Sequence, residues 1–362
     1  MYSEILRIIE GGLSNDRRKI YNYATKLASR FENEGDKNMS KSILCALQSA
    51  TSMSATMDEL RNAPVDTESR LNIVEVIPED NKTTKIVLSP LVKGQIDDFI
   101  ALIEHQDKLE SLGMNIPKTL MLHGSPGCGK TSIAHYISEK THLPLVVARF
   151  DALVSSLLGS TAKNIRKVFD YAKSAPCILF LDEFDAIAKA RDDNHEMGEL
   201  KRVINSLLQN IDDFPTSCVL ITATNHPDLL DRAVWRRFQT IIEINKLSKA
   251  ENKELIKEVV GEFNSDFLSD DKKLDIVAGW MQNMSPADIK TVISKTKVQS
   301  VLKGTLSIAM DKILIEIFNL TEKSTDIEAL VKYMNEHGIS QTTIVDATKI
   351  SLRQVKNILS KK

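Results

Sequence analysis

Two stretches of this chain carry residue types that handle phosphate. The first is Gly124-Ser125-Pro126-Gly127-Cys128-Gly129-Lys130-Thr131, which follows the apolar run Leu120-Met121-Leu122 and precedes a helical pattern through Ile133, Ala134, Tyr136 and Ile137. Its spacing is G-x-x-x-x-G-K-[ST]. The glycines let the backbone curl so that successive N–H groups point inward, and with the N-terminus of the next helix, at Thr131 and Ser132, they form a nest for phosphate oxygens. Lys130 then reaches the outer phosphates, and the Thr131 hydroxyl suits Mg²⁺. The second stretch, Ile178-Leu179-Phe180-Leu181-Asp182-Glu183, is an apolar strand ending in two acids. Its place about 50 residues after the loop puts both carboxylates at the sheet end beside the phosphates, where Asp182 holds Mg²⁺ through its water shell and Glu183 polarises an attacking water.

Two further groups fit the same chemistry. Ala223-Thr224-Asn225 ends another apolar run, and an Asn amide there can orient the water or contact the terminal phosphate; a turn-capping Asn is the plainer reading of that residue alone. Leu230-Asp231-Arg232-Ala233-Val234-Trp235-Arg236-Arg237-Phe238 then sets two adjacent arginines between an apolar helix and an apolar strand. These cations need an anion, and a guanidinium matches the charge that spreads over a transferring phosphoryl group.

The elements that must position these groups alternate. Apolar runs at Thr119 to His123, Leu145 to Ala148, Cys177 to Leu181, Cys218 to Ala223 and Thr240 to Ile244 are separated by helical patterns, as in a parallel sheet covered on both faces. The fold class predicted is α/β, a three-layer P-loop domain over 90–246 with its nucleotide at the C-terminal ends of the strands. An amphipathic helix with Val92, Ile96, Phe99, Ile100, Ile103 and Leu109 leads into it, and an all-helical lid follows over 247–320. Residues 1–52 read as a helical bundle, either a docking module or a structural cap, and 53–89, with Pro64 and Pro78, reads as a linker. Residues 326–362 repeat the apolar spacing of a helix-turn-helix, its second helix starting near Ser351.

Composition excludes several classes. With 362 residues, 42% hydrophobic and 27% charged residues and a net charge of −2, the chain describes an ordinary globular protein. No apolar run approaches the roughly 20 residues of a spanning helix. A cytoplasmic protein without a membrane partner is therefore expected. Cys45, Cys128, Cys177 and Cys218 show no C-x-x-C pairing and read as small buried residues, Cys128 also as a thiol open to alkylation in a phosphate loop.

The set G-x-x-x-x-G-K-T, four apolar residues with Asp-Glu, and A-T-N-x-P-x-x-L-D-x-A-x-x-R-R-F resembles the AAA+ ATPases over about 90–305, and more narrowly the protein-remodelling AAA clade of katanin and spastin. That resemblance implies ATP and Mg²⁺ as cofactors, Lys130 and Thr131 as Walker A, Asp182 and Glu183 as Walker B, and Asn225 as sensor 1. It implies Arg236 and Arg237 as arginine fingers acting on the neighbouring subunit's nucleotide, hence a homo-oligomeric, typically hexameric ring acting on a protein substrate or effector. It also places the small-residue motif of the lid at Met284-Ser285-Pro286-Ala287-Asp288. Where many relatives carry a pore-loop aromatic, this chain has Ser156-Leu157-Leu158-Gly159, which grips a polypeptide less firmly than a ring.

Three functions are compatible with this reading: a protein-remodelling ATPase, a regulatory subunit whose ATP state gates an effector, and a DNA-associated switch. The last rests on Arg353, Lys356, Lys361 and Lys362, a local excess of positive charge without an acid from Ser351 onward, although Thr348 and Lys349 depart from the apolar residue and glycine often found at such a turn.

Overall fold

The computed structural model describes residues 63–65, 72–78, 85–149, 158–186, 197–216 and 218–360, with scattered residues among the first 42. The expected bundle over 1–52 therefore lies almost wholly outside the described residues, as do Cys45, Ser156 and Leu157. No helix among the described residues is long and apolar enough to cross a membrane.

The central sheet contains β1 (Glu75–Ile77), β2 (Lys118–His123), β3 (Leu145–Arg149), β4 (Ile178–Asp182), β5 (Val219–Thr224) and β6 (Thr240–Glu243), in the order β1-β3-β4-β5-β2-β6. All pairings are parallel except β1 on β3. Because side chains alternate along a strand, each apolar run feeds two cores. Leu120, Leu122, Ile178, Phe180 and Ile221 face α1 (Pro90–Glu104) and α3 (Lys130–Thr141), where they meet Ile96, Phe99, Ile133 and Ile137. Met121, Val146, Leu179, Leu181 and Leu220 face the opposite layer, α4 (Leu158–Ala172) and α5 (Met197–Asp212), with Ile165, Phe169, Val203 and Leu207. The five expected strands are present within one or two residues.

Two local readings change. The segment expected as linker carries β1, and Ile73 and Val74 just before it are buried against the α4–α5 layer. Its three residues form an antiparallel edge, too short for an alternating pattern to stand out. The single helix expected after Pro90 breaks at His105 into α1 and α2 (Gln106–Ser111). Ser89 caps α1 through its hydroxyl, with Pro90 in the first turn.

Beyond α6 (Arg232–Trp235) and β6, the chain builds α7 (Lys249–Val260), α8 (Asp271–Trp280), α9 (Pro286–Leu302) and α10 (Met310–Thr321), packed around Ile256, Phe267, Val277, Ile289, Ile293 and Ile313. This lid is not purely helical. β7 (Asn264–Ser265) and β8 (Ser307–Ile308) pair in parallel across it. The last helices, α11 (Ile327–Glu336), α12 (Gln341–Thr348) and α13 (Leu352–Ser360), share a core of Val331, Met334, Ile344, Val355 and Ile358 with Leu314 of α10. α10 thus serves both units: Ile313 and Ile317 turn into the lid, while Leu314 and the Phe318 ring, 5.2 Å from that of Tyr333, face the terminal helices.

Candidate active site

Three adjacent strand ends carry the chemistry. β5 lies between β4 and β2, so Asn225 stands between the acids after β4 and the glycine loop after β2. The loop leaves β2 through Gly124 at φ +137°, where a side chain would collide with the Ile244 carbonyl, and Gly127 and Gly129 also have positive φ. Gly129 is the N-cap of α3 and offers no side chain, so the first N–H groups of that helix are left for an anionic partner.

Lys130 is buried and donates from Nζ to the carbonyls of Gly124 (2.7 Å) and Ser125 (3.0 Å), which holds its ammonium over the loop. Burial lowers its pKa from the ordinary value, and nearby Cys128, Asp182 and Asp185 oppose that shift. Cys128 is 5% exposed, and burial raises its thiol pKa, which works against the alkylation that its place in the loop suggests. Cys177 is buried as expected, its thiol pushed up to about 12 by burial.

The Thr131 hydroxyl donates to Asp182 Oδ2 at 3.1 Å, so the loop and β4 converge on one point through two oxygen donors. A hard cation that keeps most of its water and borrows phosphate oxygens fits such a pair. Among the described residues no cluster of three or more His, Cys, Asp or Glu forms a closed metal cage. Glu183 follows at φ +53°, a left-handed conformation costing a non-glycine residue about 1 kcal/mol. Its N–H donates to Asp182 Oδ1 (2.9 Å), and the sharp turn leaves the Glu183 side chain exposed while sending Phe184 and Asp185 into the interior.

Asp185 is a residue that the motif spacing did not reveal. Only 1% exposed, it accepts at Oδ1 from the Thr224 hydroxyl (3.0 Å) and the Asn225 N–H (3.1 Å), while the Thr224 hydroxyl accepts from His226 N–H (3.1 Å). It ties the end of β5 to the acidic turn and so sets where Asn225 stands. Asp185→Ala removes the acceptor of two partners and is expected to cost about 1–3 kcal/mol of stability. Turnover should fall much more than nucleotide affinity, with partial rescue by Asp185→Asn, which keeps an acceptor oxygen. Steady-state kinetics beside a nucleotide titration would show it, and equal losses in both would exclude a positioning role.

The lid touches the loop directly. Ser285 caps α9 in a capping box with Asp288, and Ala287 N–H donates to the Gly127 carbonyl at 3.1 Å. A Cβ on Gly127 would lie 2.6 Å from Ser285 Oγ and 3.1 Å from the Ala287 methyl. Gly127→Ala therefore strains the loop at positive φ and pushes the start of α9 away, with an expected loss of about 1–3 kcal/mol and about tenfold or more in nucleotide affinity. Melting and nucleotide titration are the measurements, and parental affinity would contradict the loop–lid contact. A cavity of about 390 Å³ borders Cys128 and is walled by Ser89, Val92, Ile244 and Leu247 from the α1 start and the segment between β6 and the lid.

The two arginines part company. Arg237 forks onto Asp212 at the end of α5 (Nε to Oδ1 and Nη2 to Oδ2, both 2.8 Å) and donates from Nη1 to the Ala233 carbonyl (2.6 Å). The Arg236 side chain is exposed and makes no hydrogen bond or ion pair with a described residue, while its backbone N–H donates to the Val234 carbonyl. The Arg237 carbonyl accepts from Thr119 Oγ1 (3.0 Å) near the start of β2. Gly124 is five residues further along the chain, about 16 Å at the usual rise of a strand. The Arg237 backbone and the phosphate loop therefore lie toward opposite ends of β2, while the ring of Trp235, just before the pair, reaches the His123 ring at 5.4 Å. Of the four residues expected in a pore loop, only the place of Leu158 and Gly159 at the start of α4 is described.

The family described as "ATPase family associated with various cellular activities (AAA)" matches residues 120–246. An uncharacterized AAA family ATPase, y4kL, of Sinorhizobium fredii is 41% identical over 175 residues, 48% of this chain and 53% of that protein. The ATP-dependent zinc metalloprotease FtsH of Aquifex aeolicus is 34% identical over 61% of this chain and 36% of its own length. The proteasome-activating nucleotidase of Methanococcus maripaludis is 31% identical over 71% of this chain and 68% of its own. The chain thus spans about half of the first of these relatives and about a third of the second.

Proposed function

The chain belongs to the AAA ATPases, and on that premise we propose that it forms a homo-oligomeric ring of six copies in which ATP hydrolysis between neighbours does conformational work on a protein partner. The observation that carries this reading is Arg236 itself: its side chain is exposed and takes no partner among the described residues, and the backbone of the adjacent Arg237 bonds to Thr119, five residues before Gly124. A cation so placed is available to the nucleotide of an adjacent copy.

Within one site the roles divide by geometry. The loop N–H groups, the α3 N-terminus and Lys130 bind and orient the phosphates, and the Ser285–Ala287 corner of the lid fixes the loop from behind. Thr131 and Asp182 would hold Mg²⁺, which when bound would neutralise charge on the phosphate oxygens. Glu183, the exposed carboxylate beside them, takes the proton of the attacking water, and Asn225, placed by Asp185, aligns that water. Arg236 of the next copy meets the charge developing on the transferred group, while Arg237, forked onto Asp212, braces the turn that presents it.

The N-terminal module selects the partner and the lid transmits the nucleotide state. The names of two relatives, a metalloprotease and a proteasome activator, support a protein as that partner. The test uses Glu183→Gln as a trap, expressed in its native cell and held in ATP. A protein that co-purifies in an ATP-dependent manner and is lost on deleting residues 1–52 is the expected result. Retention of the same proteins without ATP would contradict it.

A further inference from the structure

We propose that the three terminal helices form a docking unit for double-stranded DNA, with α13 as the helix that enters the major groove. The core of Val331, Met334, Ile344, Val355 and Ile358 fixes α12 and α13 to each other and to α11. α10 packs on α11 and α12, whereas α13 packs on those two helices and takes the outer position of the unit. This is the arrangement in which the second helix of a helix-turn-helix is free to meet a groove.

The turn between α12 and α13 is built for that purpose despite its sequence. Lys349, where a glycine is common, takes the left-handed conformation at φ +60° and closes α12 through its N–H to the Val345 carbonyl. Ser351 then starts α13 with a capping box: its N–H donates to Gln354 Oε1 (2.9 Å) and the Gln354 N–H donates to Ser351 Oγ (3.3 Å). The reciprocal cap sets the first turn of α13, so that Leu352, Arg353, Lys356 and Asn357 are exposed around the buried Val355 and Ile358.

Charge selects the occupant. From Lys349 through Ser360 the cations are Lys349, Arg353 and Lys356, and there is no acid. The acids of the unit, Asp326, Glu328, Glu336 and Asp346, all lie on α11, its cap or α12. An outward helix that gathers the positive charge while its supporting helices hold the negative charge matches a phosphate-lined groove, and Arg353 and Asn357 bring the side-chain donors that read base edges. An acidic protein surface shares the charge but not the groove.

The test measures fluorescence anisotropy of the full chain with a fluorescein-labelled, mixed-sequence duplex of about 30 base pairs between about 50 and 200 mM salt. The parent protein is expected to bind with an affinity that falls steeply with salt. Arg353→Glu with Lys356→Glu should weaken binding about tenfold or more and flatten the salt slope by about 2. Lys332→Glu, an equal charge change on the exposed side of α11, should bind as the parent does, and the neutral pair Arg353→Gln with Lys356→Gln should fall between. No binding at low salt, binding indifferent to the α13 changes, or equal loss with Lys332→Glu would each overturn the proposal. Binding is read without ATP, so the result is independent of the ATPase mechanism.

Discussion

Glu183→Gln is expected to bind Mg-ATP as tightly as the parent protein and to hydrolyse it about 10²–10⁴-fold more slowly. The side chain is exposed at the end of β4, and its backbone position is fixed by its own N–H to Asp182 and by the Phe184 N–H to the Ala223 carbonyl (2.9 Å). The amide is isosteric and leaves that turn, with its left-handed φ, in place. It removes only the ability to accept a proton from water. Phosphate release paired with a fluorescent-nucleotide titration separates the two effects. Turnover within about tenfold of the parent would take the general-base role away from this residue. Lost nucleotide binding would instead mean that the turn itself supports the loop.

Arg236→Ala is the second large effect. This variant is expected to assemble and bind ATP normally but to lose about 10³-fold in turnover, since an arginine acting in trans on a phosphoryl group contributes 10³–10⁵. Its neighbour should behave differently. Arg237→Ala breaks the bidentate fork onto Asp212 and the bond to the Ala233 carbonyl, and so should lower melting temperature as well as turnover. The side chains of that ion pair are 27% and 50% exposed, which limits its contribution to about 1 kcal/mol. Arg237→Lys keeps the charge but not the planar fork and should rescue only in part. Identical profiles for the two alanine variants, in melting and in turnover, would remove the distinction between a presenting and a bracing arginine.

The difference between Arg236 and Arg237 also illustrates what could be read from residues alone. Motif spacing marks the loop, the acidic turn and Asn225 as candidates because each is a short run with fixed chemistry at the end of a continuous apolar strand, and both arginines because two adjacent cations stand between an apolar helix and an apolar strand. It did not separate the arginines, since the partner that claims Arg237 lies 25 residues earlier on another helix. Asp185 was hidden for the same reason: its partners are 39 and 40 residues away, and an acid after two other acids reads as part of a solvated turn. β1 and the β7–β8 pair escaped because two or three residues cannot display a period. The end of the chain was more legible, Ser351 marking the start of α13 through its own cap, although Lys349 shows that a left-handed turn does not require glycine.

The measurement closest to the central claim is the structure of the Glu183→Gln protein assembled with Mg-ATP. The expected result is a closed ring in which the Arg236 guanidinium of each copy lies within hydrogen-bonding distance of the terminal phosphate held by the neighbour's Lys130, while Arg237 stays on its own Asp212. A monomer with ATP bound, or a ring in which Arg236 faces solvent away from every nucleotide, would contradict it.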